Sequence, residues 1–261
     1  MRTEVVSEPG DPTHPNEDFA SVALPASGQG GAVVVLDGVT PPKDGTGCLH
    51  SVPWYCARLG GALTELTVSL PDVPLAEALA SAIARTAESH AQTCDLSHPR
   101  TPQATVVLAR WSAKAVEYLV LSDSALLVES PDGTITPLLD DRLSRLPRTS
   151  LTTDAIADAT VRNKDGGFYT AAADPTVASR AVTGVLPRHE VRALAALTDG
   201  ATRWVEKFGA GDWVDCFDLV RKEGAGELVA RVRALELADT ERVYLRRSKT
   251  HDDATVVYAE L

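Results

Sequence analysis

Four apolar runs of this chain carry an aspartate at one end: Asp37 closes GGAVVVLD, Asp123 follows YLVLS, Asp199 follows ALAALT, and Asp252 precedes ATVVY. Taken singly, each reads as a turn residue or strand-end cap. Taken together, they put several carboxylates beside buried strands, where like charges repel strongly and persist only if protonated or neutralised by cations. Hard divalent ions with oxygen ligands are the natural counter-charge. Asp37 and Asp199 are each followed by glycine, Gly38 and Gly200. With no Cβ, such a residue lets the backbone approach an ion and offer its carbonyl.

The other residue types suggest less. Cysteines at 48, 56, 94 and 216 form no C-x-x-C pair and no zinc-knuckle spacing, so neither a disulfide framework nor a structural zinc site is expected. Reduced, mostly buried thiols are the expectation. Lys and Arg number 25 against 36 Asp and Glu, a net charge of −11 that disfavours nucleic acid and anionic lipid as partners. The densest basic patch, Arg247 to Lys249, reads as a solvated edge beside a strand. Met1 to Asp11 has acids and no apolar leader, and no window approaches the ~20 apolar residues of a membrane span, which points to a cytoplasmic protein. The bias of Arg over Lys, with many alanines, suggests a bacterial source with a GC-rich genome.

The elements that must position the acids are partly readable. Gly30 to Asp37 is the first clear strand. Pro53 to Leu70 and Val73 to Cys94 have helical spacing, through Leu59, Leu63 and Leu66, then Leu75, Leu79, Ile83 and Ala87, with Pro71 and Pro74 between them. From Ala104 the period changes, and ATVVLARW, VEYLVLSD, ALLVES and TITPLL read as consecutive antiparallel strands. Gly166 to Ala172 returns to strand character, and Val191 to Asp199 reads as a strand ending in Asp-Gly. Helices are predicted over about 204–222 and 225–238, and Thr255 to Ala259 is a last strand. With no repeat or linker, residues 1–261 form one domain, and 140–185 a flap-like insertion over one end of the sheets.

The ordered set of short motifs resembles the PPM (type 2C) serine/threonine protein phosphatases. The motifs are Asn16, Glu17, Asp18; Asp37, Gly38; Gln103, Ala104, Thr105; Ser122, Asp123, Ser124; Thr198, Asp199, Gly200; and Asp252 to Val256. Each is weak alone, and their order across about residues 7 to 260 is specific. The resemblance implies an α+β fold, a four-layer αββα sandwich of two antiparallel β-sheets flanked by helix pairs, with two Mn²⁺ or Mg²⁺ ions at one end. It implies that Asp37 bridges both ions, that the Gly38 carbonyl and Glu17 serve one, and that Asp199 and Asp252 serve the other. Asp18 would act through water. The implied activity is hydrolysis of phosphoserine and phosphothreonine esters on proteins by an activated water, with Asp37, Asp199 and Asp252 as the catalytic acids. The implied partner is a phosphorylated protein, and a monomer is favoured.

The sequence departs from that pattern at three places. Many members have an arginine where Thr13 stands, suited to gripping phosphate through two hydrogen bonds. His14, Arg58, Arg162 and Arg203 are the alternatives. Many eukaryotic members follow the Asp-Gly pair with a histidine, where this chain has Val39 and Thr40, leaving His50 as a candidate acid and His251 as a residue that could tune Asp252. A third metal in some members needs an acid at the position of Arg203, whose guanidinium is expected beside Asp123 in place of that ion. These departures keep open a catalytically weak or silent binding module and a small-molecule phosphoesterase.

Overall fold

The computed structural model describes residues 2–42, 45–245 and 249–261. The strands, in chain order, are β1 (Thr3–Glu8), β2 (Phe19–Ala23), β3 (Gly31–Leu36), β4 (Val106–Trp111), β5 (Ala115–Leu121), β6 (Ala125–Glu129), β7 (Ile135–Leu139), β8 (Val182–Pro187), β9 (Ala193–Leu197) and β10 (Ala254–Glu260). The helices are α1 (Val52–Ser69), α2 (Leu75–Glu88), α3 (Arg142–Arg145), α4 (Asp154–Thr160), α5 (Asp199–Glu206), α6 (Trp213–Glu223) and α7 (Ala225–Ala238). One sheet runs β1-β10-β9-β6-β7 and the other β2-β3-β4-β5-β8. Every pairing between these strands is antiparallel.

Three apolar layers separate four layers of secondary structure. Val33, Val35, Val107, Val120, Leu126, Leu194 and Val257 fill the space between the sheets. Leu59, Leu63, Leu79 and Ile83 of α1 and α2 pack on Val34, Leu36, Leu108 and Leu119. Phe217, Val220, Leu228 and Val232 of α6 and α7 pack on Leu197, Val256 and Tyr258. The central strands are therefore buried on both faces, which is why GAVVVL reads as a continuous apolar run with no alternation. Helix α1 starts where Ser51 Oγ accepts from Trp54 N at 3.3 Å, with a proline in its first turn.

The fold differs from the sequence expectation at specific places. Strands β4 and β5 pair, as do β6 and β7, but β5 and β6 lie in different sheets, so the four are not one meander. The chain crosses between sheets at Ser122, whose φ of 70° is left-handed. Gly166 to Ala172 forms only isolated bridges, Arg162 to Phe168 and Ala104 to Ala171, because it runs across sheet ends and not along an edge. The helix predicted over 204–222 is two helices, broken at Gly209 (φ 57°) and restarted by the Asp212 and Asp215 capping box of α6. Helix α2 stops at Glu88, short of Cys94. Strands β1, β2 and β8 escaped prediction because they are half-buried, mixed-polarity segments. Of the basic patch, Arg247 lies outside the described residues.

The two Asp-Gly pairs have a packing reason. A Cβ on Gly38 would stand 2.4 Å from the Glu17 carbonyl oxygen and 2.5 Å from Val52 Cγ1, and one on Gly200 would stand 2.0 Å from the Asp253 carbonyl oxygen. Neighbouring backbone thus passes through the space a side chain would take. Gly200→Ala is expected to lower the unfolding free energy by ~1 to 3 kcal/mol through overpacking. Gly61→Ala, on an open face of α1 with nothing within 4 Å of the new Cβ, is expected to raise it by ~0.4 to 1 kcal/mol. Urea denaturation of the two variants checks both signs.

Candidate metal centre at the sheet rim

Strand ends deliver the acids to one place. Asp37 follows β3, and its backbone is fixed by Thr105, whose N–H donates to the Asp37 carbonyl at 2.9 Å and whose Oγ1 accepts from Asp37 N at 3.3 Å. Asp123 follows β5 across the sheet crossing, with Ser122 Oγ donating to its Oδ1 at 3.0 Å. Asp199 opens α5 directly after β9, and its N–H donates to Asp37 Oδ2 at 3.1 Å. Asp252 precedes β10. All four line one cleft of about 690 Å³, together with Gly38, Val39, Thr40, Ser124 and Thr170.

Asp18 stands behind this rim, at the start of β2. Its Oδ2 accepts from Thr198 Oγ1 at 2.9 Å and Thr255 Oγ1 at 2.7 Å, which ties β2 to β9 and β10. Its Oδ1 is buried and has no hydrogen-bond partner among the described residues. Glu17 accepts from Thr40 Oγ1 at 2.6 Å, and Lys249 Nζ is 3.9 Å from its carboxylate. Asp253 is structural: its carboxylate accepts from Gly10 N at 2.8 Å and Glu17 N at 2.7 Å, pinning the N-terminal loop.

The electrostatics follow from crowding. Burial pushes the Asp199 carboxyl up to about 8, reinforced by Asp252 and Asp123 and opposed by Arg203. Burial and the charge of Asp199 push Asp37 well above the usual carboxylate range. Asp18 is pushed to about 7 by burial, although the Thr255 and Thr198 hydroxyls favour its charged form. Glu17 is raised, again mainly by burial. Protons or cations must therefore offset the charge near neutral pH.

Two side-chain cations already reach Asp252: Arg203 Nη2 donates to its Oδ2 at 2.7 Å and Lys249 Nζ to its Oδ1 at 2.9 Å. Arg203 is buried and also bonds Glu236 at 2.6 Å. It was expected beside Asp123, but the deeply buried Glu236 and the half-buried Asp252 hold its guanidinium instead. Among the described residues, no three rim acids bring one oxygen each within 4.8 Å of one another. The rim is thus a basin of hard donors and not a single-ion cage. Its surplus of acids and the orphaned Asp18 Oδ1 fit divalent cations with their waters.

The remaining candidates separate clearly. Arg162 lines the cleft, held by Asp158 at 2.8 Å and stacked over Phe168. His14 is exposed and bonded to Asp11 and Thr13, and Thr13 itself bonds Asp11. Arg58 lies over Trp54 on α1. His50 is not at the rim, because its ring stacks on Trp54 with centroids 3.9 Å apart, in a separate cluster. His251 bonds Glu236 at 2.8 Å and so reaches Asp252 only through the Arg203 pair. Sequence reasoning passed over Arg148, Glu206 and Lys207 as cleft residues and Lys249 as the partner of Asp252. None carries a local signal: Glu206 and Lys207 end α5, and Arg148 and Lys249 lie on connecting segments.

Comparison with known proteins gives a family match and a fold. The family model described as Protein phosphatase 2C matches residues 13–236. The serine/threonine phosphatase Stp1 from Staphylococcus aureus superposes with a TM-score of 0.61 at 14% identity, covering 100% of this chain and 95% of that one. The Mycobacterium tuberculosis serine/threonine phosphatase PstP/Ppp gives 0.60 at 18% identity, covering 100% and 98%. The catalytic domain of PstP in complex with two manganese ions gives 0.57 at 17% identity, covering 99% and 97%. The two five-stranded antiparallel sheets and flanking helices are the fold these structures share. A search of curated protein sequences returned no match.

Asp199 provides a test of the crowding. Between an unfolded value of ~3.9 and the folded value of about 8, the folded chain holds a proton that the unfolded chain has released. Rising pH therefore favours unfolding across that window. Ion-free protein is expected to lose stability relative to Asp199→Asn as pH rises from about 4 to about 8, with the difference constant above. Chemical denaturation at stepped pH measures it, and a flat difference contradicts the account.

Proposed function

The chain belongs to the protein phosphatase 2C family, and from that premise we propose that it hydrolyses phosphoserine and phosphothreonine esters on proteins with the aid of two Mn²⁺ or Mg²⁺ ions. The observation that carries the reading is the convergence of Asp37, Asp199 and Asp252 on one open cleft, with Glu17 and Asp18 beside it. Asp37 and the Gly38 carbonyl, with Glu17, would hold one ion, and Asp37, Asp199 and Asp252 the other, after the acids draw together from their wider spacing at the rim. The relative that contains two manganese ions supports the stoichiometry. Ions held there would supply Lewis acidity, acidifying a water toward neutrality and placing positive charge against the transferring phosphoryl group.

The chain's own residues set the rest. The Asp199 N–H fixes the Asp37 carboxylate, and the Thr198 and Thr255 hydroxyls fix Asp18. Its unpaired Oδ1 is left to accept from a water. Arg162, Arg148 and Lys207 line the same cleft and supply the positive charge that Thr13 does not. Residues from 139 to 170 form much of the cleft wall, consistent with a flap-like insertion that admits a phosphorylated segment. The described residues include no helix long and apolar enough to cross a membrane.

A second reading, a binding module of weak or no turnover, is favoured by one observation: Lys249 sits between Glu17 and Asp252, where a divalent ion would compete with it. Hydrolysis of an aryl phosphate and of phosphoserine and phosphothreonine peptides should require Mn²⁺ or Mg²⁺ and stop with chelator. Asp37→Asn should lower kcat by about 100-fold or more, the scale of losing one electrostatic stabiliser. Absence of metal-dependent turnover on any of these substrates would sink the hydrolase reading in favour of the module. Turnover confined to free phosphorylated metabolites would instead assign a small-molecule enzyme.

Lys249→Met isolates the competition. Removing the ammonium should lower the Mn²⁺ concentration for half-maximal activity by roughly 5- to 30-fold, the equivalent of ~1 to 2 kcal/mol after solvent screening of a part-exposed charge. An unchanged activation curve would show that Lys249 does not occupy the ion's place.

A further inference from the structure

Away from the aspartate rim, the open end of the α1 and α2 hairpin gathers Cys48 and His50, just before α1, with His90 and Cys94, just after α2. One donor atom from each lies within 4.8 Å of the other three. Cys48 Sγ is 3.4 Å from His90 Nδ1 and 3.7 Å from His50 Nδ1, and Cys94 Sγ is 3.4 Å from His50 Nδ1. Zinc bonds of ~2.3 Å to sulfur and ~2.0 Å to nitrogen, at tetrahedral angles, put donors ~3.3 to 3.8 Å apart. The three sulfur–nitrogen separations match. The two sulfurs, 3.0 Å apart in free thiols, are nearer than the ~3.8 Å of a zinc-bound pair and well beyond the ~2.05 Å of a disulfide.

Three surrounding features suit thiolates bound to a cation. The Leu49 N–H donates to Cys94 Sγ and the His50 N–H to Cys48 Sγ, both at 3.4 Å, as backbone donors do to metal-bound sulfur. His90 is 2% exposed, its Nδ1 faces only sulfur, and its Nε2 has no hydrogen-bond partner among the described residues. A buried ring nitrogen normally finds a partner, and a bond to metal would satisfy Nδ1, leaving Nε2 as the unpaired side of the ring. The rings of His50 and His90 are held by Trp54, stacked at 3.9 Å and edge-on at 5.2 Å. The pattern Cys-x-His with His-x3-Cys was not expected from spacing, because its halves lie 42 residues apart, Cys48 to His90. Nor are all four thiols buried: Cys48 and Cys94 are partly exposed, whereas Cys56 and Cys216 are buried.

We propose that Cys48, His50, His90 and Cys94 form a structural zinc site that clips the loop leaving Asp37 to the end of α2. Four protein donors leave no open position, so the site is closed and not catalytic. Soft sulfur and imidazole donors select zinc here, whereas the oxygen-only rim takes harder ions. The clip acts where the chain is already joined: the Asp95 N–H donates to the Gly47 carbonyl at 2.7 Å, and Arg100 Nη2 to the Thr40 carbonyl at 3.3 Å. The inference rests on nothing at the aspartate rim.

The test uses the full chain with zinc and cobalt as probes. After dialysis against a weak chelator, the protein should retain about one zinc ion per chain, and Co²⁺ in its place should give intense visible bands with thiolate-to-cobalt charge transfer. Asp199→Asn should keep both signals. Cys48→Ser/Cys94→Ser should lose both, and zinc should protect two thiols of the wild-type protein from alkylation. Zinc retained equally by the double variant, a cobalt spectrum without charge transfer, or a Cys48–Cys94 disulfide found by mass spectrometry would each overturn the proposal. The wild-type cobalt spectrum and thiol protection decide the matter even if the variant does not fold.

Discussion

Carboxylates that share a low-dielectric rim cannot all be ionised without a counter-charge, and much of this architecture is arranged around that constraint. Strand ends from both sheets, β3 and β5 on one side and β9 and β10 on the other, bring Asp37, Asp123, Asp199 and Asp252 to one cleft. A single strand pair could not do so, since side chains along one strand alternate between faces. The sandwich therefore serves as a frame that forces acids distant in the chain into mutual repulsion. Its apolar layers hold them there, because each central strand is buried on both faces.

The frame answers the repulsion in two ways. Some of the charge is met by the protein itself, through Arg203 between Glu236 and Asp252, Lys249 on Asp252, and the Asp199 N–H on Asp37. The remainder is open to the cleft, where raised carboxyl affinities for protons show that the internal cations are too few. Arg203 is the distinctive element. A buried guanidinium is costly unless fully paired, and here it has both an apolar-side partner and a rim partner. Asp252 is thereby fixed in direction while part of its charge is spent inside the protein.

The strands that carry the acids were legible because each couples a β-branched or leucine-rich run to a terminal aspartate, and the helix pair of α1 and α2 because Leu59, Leu63, Leu79 and Ile83 keep a 3.6-residue period. The edge strands were not. In β8, half-buried and exposed positions alternate without an apolar face strong enough to read, and β1 is a mixed-polarity strand whose partner, β10, lies at the other end of the chain. The sheet crossing at Ser122 is invisible locally, since a left-handed serine has no sequence mark. At the site, the strand-end acids were found, but the partners of Asp252 and the true surroundings of His50 were not. Those depend on loops from Lys249 and from 90–94 that no periodicity describes.

The most direct measurement is an anomalous difference map from a crystal of the full chain equilibrated with Mn²⁺ at neutral pH. The account requires strong peaks within bonding distance of Asp37, at least one of them shared with Asp199 or Asp252. A map without peaks at this rim, with the carboxylates closed on one another through protons, would contradict it.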